Sequence, residues 1–141
     1  MNFEGKKVLV TGGAGFIGSH LVDALLQRNA GVRVVDDLSR GKLDNIKHCK
    51  SKIEFIKGNL MNMETAESAL TDIEICFHLA AVVGSVDFMN SHPAEILKNV
   101  SIDYNVIEAS RKMNISRLLY ASSACTYPVN LQTAEDLPPL K

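Results

Sequence analysis

Four glycines near the N-terminus are spaced for close contact with an anion. Residues 7–20 run Lys-Val-Leu-Val-Thr-Gly-Gly-Ala-Gly-Phe-Ile-Gly-Ser-His, an apolar strand leading into a glycine-rich turn and then a helix. Gly13, Gly15 and Gly18 satisfy G-x-G-x-x-G, and Gly12, Gly15 and Gly18 satisfy the wider G-x-x-G-x-x-G. A phosphate reaches backbone only where no Cβ intervenes. The first glycine of such a loop permits the tight turn, the next admits pyrophosphate, and the last lets the helix lie on the strand. The free N–H groups and positive dipole end of the helix start, at Phe16 and Ile17, then hold the anion. Asp36 follows Gly12 by 24 residues and closes a second apolar run, Val32-Arg-Val-Val-Asp36. A carboxylate there accepts hydrogen bonds from the hydroxyls of an adenosine ribose. The loop and Asp36 together imply a dinucleotide ligand.

Other reactive residues cluster farther along. Ser122 and Ser123 follow an apolar run at Leu118-Leu-Tyr-Ala121, where a hydroxyl can donate to a substrate oxygen as charge develops on it. Cys125 lies two residues on, and from the residues alone packing is a better account of it than chemistry. His78 ends the apolar run Ile75-Cys-Phe-His and is expected to be a structural histidine bonded to backbone rather than a catalytic one. Ala80 and Ala81 suit either a flat surface for a ribose or nicotinamide, or ordinary close packing of loops.

The elements that must position these residues alternate between strand-like and helix-like, the pattern of a parallel sheet with crossover helices. Strands are expected at 8–10, 32–36, 53–57, 75–79 and 118–121. A helix opening at Phe16 is expected to face the sheet through Ile17, Leu21, Ala24 and Leu25, and Gly31 to close it in a left-handed conformation. Residues 37–52 are polar and predict a long loop with at most one helical turn. A short helix is expected at 62–70, a loop from there past strand four to Pro93, and a helix at 94–113 with Pro93 in its first turn. That last helix has two apolar stripes. Ile102, Val106, Ala109 and Met113 form one; Ile96, Val100, Tyr104 and Ile107 form the other. Two stripes imply cover by the sheet and by a partner subunit. In an open parallel sheet, ligands lie beyond the carboxyl ends of the strands where strand order reverses. The glycine turn, Asp36-Asp37, 78–81 and 122–125 all fall at such ends.

At 141 residues the chain fits one domain and buries about two thirds of its unfolded surface. Its 46% hydrophobic and 22% charged residues are ordinary for a globular protein. A net charge of −1 gives no electrostatic case for nucleic acid or membrane surfaces. No apolar run approaches the roughly 18 residues of a spanning helix, and the first seven residues lack a signal peptide's apolar core. Cys49, Cys76 and Cys125 are widely spaced, suiting neither a disulfide framework nor a zinc site, so no metal and a reducing cytoplasm are expected. Cys76 is expected in the core and Cys49 to be incidental.

These residues also resemble a family. Thr-Gly-Gly-Ala-Gly-Phe-Ile-Gly-Ser-His at 11–20, Asp-Asp-Leu-Ser at 36–39, His-Leu-Ala-Ala at 78–81 and Asn99 look like the extended short-chain dehydrogenases/reductases, within them the nucleotide-sugar epimerases and dehydratases. The segment 120–128, Tyr-Ala-Ser-Ser-Ala-Cys-Thr-Tyr-Pro, is similar to the GDP-mannose 3,5-epimerase subgroup. The resemblance implies an α/β Rossmann-type domain over 1–141, with helices on both faces of a parallel sheet. It implies NAD as cofactor, preferred over NADP, held by Gly12, Gly15, Phe16, Ile17, Gly18, Asp36, Asp37, Ser39, Arg40, Asn59, Leu60, Leu79, Ala80, Ala81 and Asn99. Arg40 is the residue that complicates that preference, since it could reach a 2′-phosphate. Asn59 stands where the family commonly has aspartate, and its amide oxygen can still accept from the adenine. Ser123 is implied as a hydroxyl donor near the oxidised carbon, and Cys125 as an acid/base at the epimerised one. The implied substrate is a GDP- or UDP-linked sugar, and the implied assembly a homodimer.

The family's Tyr-x-x-x-Lys pair does not occur here: Tyr104, Tyr120 and Tyr127 are followed at that spacing by Glu108, Ala124 and Leu131. The pair, the last strand and the sugar-binding domain are expected beyond Lys141. Two readings follow: the N-terminal part of a nucleotide-sugar epimerase or dehydratase, inactive alone, or a stand-alone dinucleotide-binding module with a non-catalytic binding or regulatory role.

Overall fold

A computed structural model describes residues 2–123. Five strands, β1 (Lys7–Thr11), β2 (Gly31–Asp36), β3 (Ile53–Lys57), β4 (Ile75–His78) and β5 (Arg117–Tyr120), form one sheet in the order β3-β2-β1-β4-β5. Every neighbouring pair is parallel, with Val10 opposite both Val34 and Phe77. The crossovers carry α1 (Phe16–Leu26), α2 (Met63–Leu70), α3 (Val86–Ser91) and α4 (Pro93–Lys112), with a 3₁₀ segment at Leu43–Lys52.

Alternation along the central strands divides the core into two layers. Val8, Val10, Val32, Val34 and Ile75 pack with Val22 and Leu25 of α1 and with Ile46 and Cys49 of the 3₁₀ segment. Leu9, Val35 and Cys76 face the other way, against Ala66 and Leu70 of α2 and Ile102, Val106 and Ala109 of α4. Both faces of β1 are therefore buried, as its unbroken Val-Leu-Val run requires.

Four expectations need correction. First, α1 faces the sheet through Gly18, Ser19, Val22 and Leu25, and Ile17 is 70% exposed. Gly18 must touch the turn, so the helix is rotated about one residue from its most apolar orientation. Second, the left-handed residue after α1 is Asn29 (φ 56°), while Gly31 opens β2. Third, the polar stretch after β2 carries a ten-residue 3₁₀ segment, pinned by the buried Ile46 and Cys49. Fourth, the stretch before Pro93 contains α3, whose start is capped by the Ser85 hydroxyl accepting from the Phe88 N–H.

Candidate dinucleotide-binding site

The glycine turn leaves β1 where sheet order reverses, since β2 lies on one side of β1 and β4 on the other. Gly12 turns with φ 67°, and its N–H donates to Val35 O at 2.8 Å, fixing the loop to β2. A Cβ on Gly18 would fall 2.3 Å from Gly12 O and 2.7 Å from Gly13 Cα, so the first turn of α1 rests on the glycine loop with no room for a side chain. Gly15 is the N-cap and offers no side-chain cap, and the first turn holds no acidic residue. The first N–H groups of a helix have no i−4 carbonyl. Among the described residues no side chain caps them and no acidic residue stands in that turn, which fits a phosphate.

Asp36 ends β2 beside this turn and is buried. Its Oδ2 accepts from Ala14 N–H at 3.0 Å and its Oδ1 from Leu38 N–H at 2.8 Å. Two of the carboxylate's roughly four lone-pair positions are thus used, and two remain for ligand hydroxyls. The loop beyond Asp36 is tied to the turn a second time, because Ala14 O accepts from Lys42 N–H at 3.0 Å and from Asn45 Nδ2 at 2.8 Å.

These walls enclose a cleft of about 410 Å³, within the size range of small-molecule sites. Gly12, Gly15, Phe16, Ile17 and Gly18 line its floor; Asp36, Asp37, Ser39 and Arg40 line one side. Asn59 and Leu60 enter after β3, and Leu79, Ala80 and Ala81 after β4. Asn59 Oδ1 already accepts from Met61 N–H at 2.9 Å and keeps one lone pair. Arg40 lies over the Phe88 ring, 5.2 Å from its centre, so α3 reaches across to the β2 side of the cleft.

Asn99 stands apart from the other expected residues. Its Oδ1 accepts from Val82 N–H at 2.6 Å and its Nδ2 donates to Val82 O at 2.9 Å, so it holds the loop after β4 from behind. Ser123 is exposed, two residues past Ala121, which does line the cleft. Cys125 lies outside the described residues.

Sequence reasoning missed the support beneath Leu79 and Ala80. The buried Thr11 hydroxyl accepts from the Leu79 and Ala80 N–H groups, both at 3.0 Å, and lies 2.7 Å from His78 Nδ1. Two acceptor positions are filled, so its proton points at Nδ1. His78 is therefore the Nε2–H tautomer, and Nε2 donates to Asp103 Oδ1 at 3.1 Å. Asp103 Oδ2 accepts in turn from the Tyr120 hydroxyl at 2.8 Å. His78 is thus structural as expected, but its partners are side chains rather than backbone. Burial pushes its pKa down, against an opposing pull from Asp103. A polar residue ending each of two buried neighbouring strands, Thr11 and His78, was the available signal. Gly41 was missed as well: it lines the cleft, and a Cβ there would fall 2.7 and 2.8 Å from the two Asp36 oxygens.

Known proteins share this arrangement. A family model described as the NAD dependent epimerase/dehydratase family matches residues 8–141. The UDP-glucose 4-epimerase of Mycolicibacterium smegmatis is 35% identical over 138 residues, covering 94% of this chain and 44% of the relative. The GDP-mannose 3,5-epimerase of Arabidopsis thaliana is 34% identical over 126 residues, covering 89% and 33%. Among solved structures, an epimerase of Methanothermobacter thermautotrophicus superposes with a TM-score of 0.83 at 31% identity, over 95% of this chain and 40% of that one. The Thermus thermophilus UDP-glucose 4-epimerase, solved with NAD, gives 0.75 at 36% identity, over 83% and 37%. The chain spans less than half the length of these relatives. With the match running over both the glycine turn and the segment after β5, the chain belongs to the NAD-dependent epimerase/dehydratase family.

Proposed function

We propose that residues 1–141 form the cofactor-binding part of a nucleotide-sugar epimerase or dehydratase and hold NAD in the cleft at the β1/β4 switch point. The observation that carries this reading is the uncapped start of α1 beside the buried Asp36, an anion site and a hydroxyl acceptor on one cleft. The backbone of Gly15 to Gly18 takes the pyrophosphate. Asp36 takes the adenosine ribose, and its charge repels a 2′-phosphate, so NAD binds better than NADP. Arg40 is the competing group, but its guanidinium lies over Phe88. Asn59 accepts from the adenine amino group. Leu79, Ala80 and Ala81 give the nicotinamide end a flat surface, which Thr11 and Asn99 support from behind.

NAD, when bound, supplies a reversible acceptor for a hydride from a sugar carbon. Ser123 donates its hydroxyl to the substrate oxygen, and Cys125 exchanges a proton at the inverted carbon, its thiol having a reference pKa of about 8.5, near working pH. The substrate is a GDP- or UDP-linked sugar, and the identities of 34% and 35% do not separate the two classes. Because residues 1–141 hold no tyrosine with lysine four positions on, this chain alone catalyses no epimerisation. Calorimetry with NAD and NADP tests the cofactor assignment: NAD is expected to bind more tightly, and equal or tighter NADP binding overturns it. Epimerisation by residues 1–141 alone, seen as isotope exchange at any sugar carbon, overturns the assignment of roles.

The outer face of α4 supports a dimer. Val100 and Tyr104 are 65% and 63% exposed, with Leu97 and Ile107 beside them. That stripe suits a second copy of the protein.

A further inference from the structure

Where the 3₁₀ segment packs on α1, we propose that Asp23, His48 and Cys49 form a divalent-metal site, fitted to zinc, that staples the segment to the helix. The three donor atoms, one each from carboxylate, imidazole and thiol, lie within 4.8 Å of one another. Asp23 sits in the middle of α1, and His48 and Cys49 are neighbours in the 3₁₀ segment. At present His48 Nε2 pairs with Asp23 Oδ1 at 2.7 Å, and the Cys49 thiol donates to Ile46 O at 3.3 Å.

The donor set is chemically selective. Thiolate, imidazole and carboxylate are the ligands of zinc, bound at about 2.0–2.3 Å. Sulfur disfavours magnesium and calcium, which take oxygen ligands. An ionised Cys49 and Asp23 with a neutral His48 carry two negative charges, which match a divalent ion. Tetrahedral zinc holds such donors on the order of 3.3–3.7 Å apart. Closure therefore opens the His48–Asp23 pair by about half an ångström and draws the thiol in by about one. The Asp23 and His48 side chains are 40% and 58% exposed, so both are free to rotate. Three protein ligands leave the fourth position to water.

Cys49 is buried and its thiol donates to a backbone carbonyl, so without a metal it keeps its proton. Binding exchanges that proton for the metal: the S–H bond breaks, an S–Zn bond forms, and one proton leaves to solvent. The site also bears on the fold near the cleft. Lys42 and Asn45, at the start of the same segment, hold Ala14 O in the glycine turn. A metal joining the segment to α1 would fix that turn from outside.

Cobalt(II) is the probe, added to the protein with Cys125 replaced by serine so that Cys49 and the core cysteine Cys76 are the thiols that remain. One equivalent is expected to give a thiolate-to-cobalt band in the near ultraviolet and tetrahedral d–d bands, both abolished by zinc. Zinc is expected to raise the melting temperature, as a ligand of the folded state must. His48→Ala and Asp23→Asn, at half-exposed positions, are expected to weaken zinc binding at least tenfold while the chain stays folded by circular dichroism. Cys49→Ser is expected to remove the charge-transfer band. Absence of that band, or zinc binding unchanged in His48→Ala (an adventitious ion only), overturns the proposal.

Discussion

Asp36 is the residue on which the cleft's geometry converges. Its two oxygens take N–H groups from the glycine turn and from the loop after β2, and Gly41 packs directly against both. Gly41→Ala is expected to displace the carboxylate and weaken NAD by about tenfold, roughly one charged hydrogen bond, in a calorimetric titration. Unchanged affinity would separate Asp36 from ligand binding. His78 sets a pH limit. Its pKa is held below the free value of about 6.5. The unfolded chain therefore takes up a proton that the fold resists, and stability falls as pH drops below that value. Protonation at Nδ1 also faces a Thr11 oxygen whose lone pairs are used, which loosens Leu79 and Ala80. Denaturant unfolding at pH 7.5 and 5.5 is expected to show a larger acid loss for the parent than for His78→Gln. At this scale the sequence was legible where local spacing places a residue, as in the glycines and Asp36 at the end of its apolar run. It was opaque where the partner lies far along the chain, as with Asp103 for His78, or Asp23 beside a Cys49 expected to be incidental.

Each helix shows how far periodicity alone can locate a buried face. The two stripes of α4 were visible in the sequence, and the structure separates them. Ile102, Val106 and Ala109 are buried on the sheet, whereas Val100 and Tyr104 point outward. Met113, expected with the first stripe, is the C-cap and more than a third exposed. Ile102→Ala is expected to cost about 2–5 kcal/mol in chemical denaturation, and Val100→Ala to stay within about 0.5 kcal/mol. Val100→Glu tests the outer stripe: sedimentation should show less self-association than the parent, and an unchanged profile would leave that face without a partner. In α1 the most apolar stripe is not the buried one, because contact of Gly18 with the turn sets the helix rotation. No local pattern carries that constraint. The 3₁₀ segment was hidden for a related reason, since two buried side chains anchor an otherwise polar stretch.

For the molecule as a whole, sheet order decides where chemistry can occur. The order β3-β2-β1-β4-β5 puts the loops after β1, β2, β3 and β4 around one cleft. That convergence was legible from the alternation of strands and helices and the position of the glycine turn. What the cleft was built from laterally, including Gly41 and α3, needed the three-dimensional contacts. Among the described residues no helix is long and apolar enough to cross a membrane. The central claim is that NAD occupies this cleft, and amide chemical-shift mapping tests it most directly on a 15.4 kDa chain. Titration with NAD is expected to shift the amides of Gly12 to Gly18, Asp36 to Arg40 and Leu79 to Ala81 in a saturable way. The amides of β5 and of the outer face of α4 should stay still. Shifts centred on α4, or no saturable shift in the glycine turn, would contradict it.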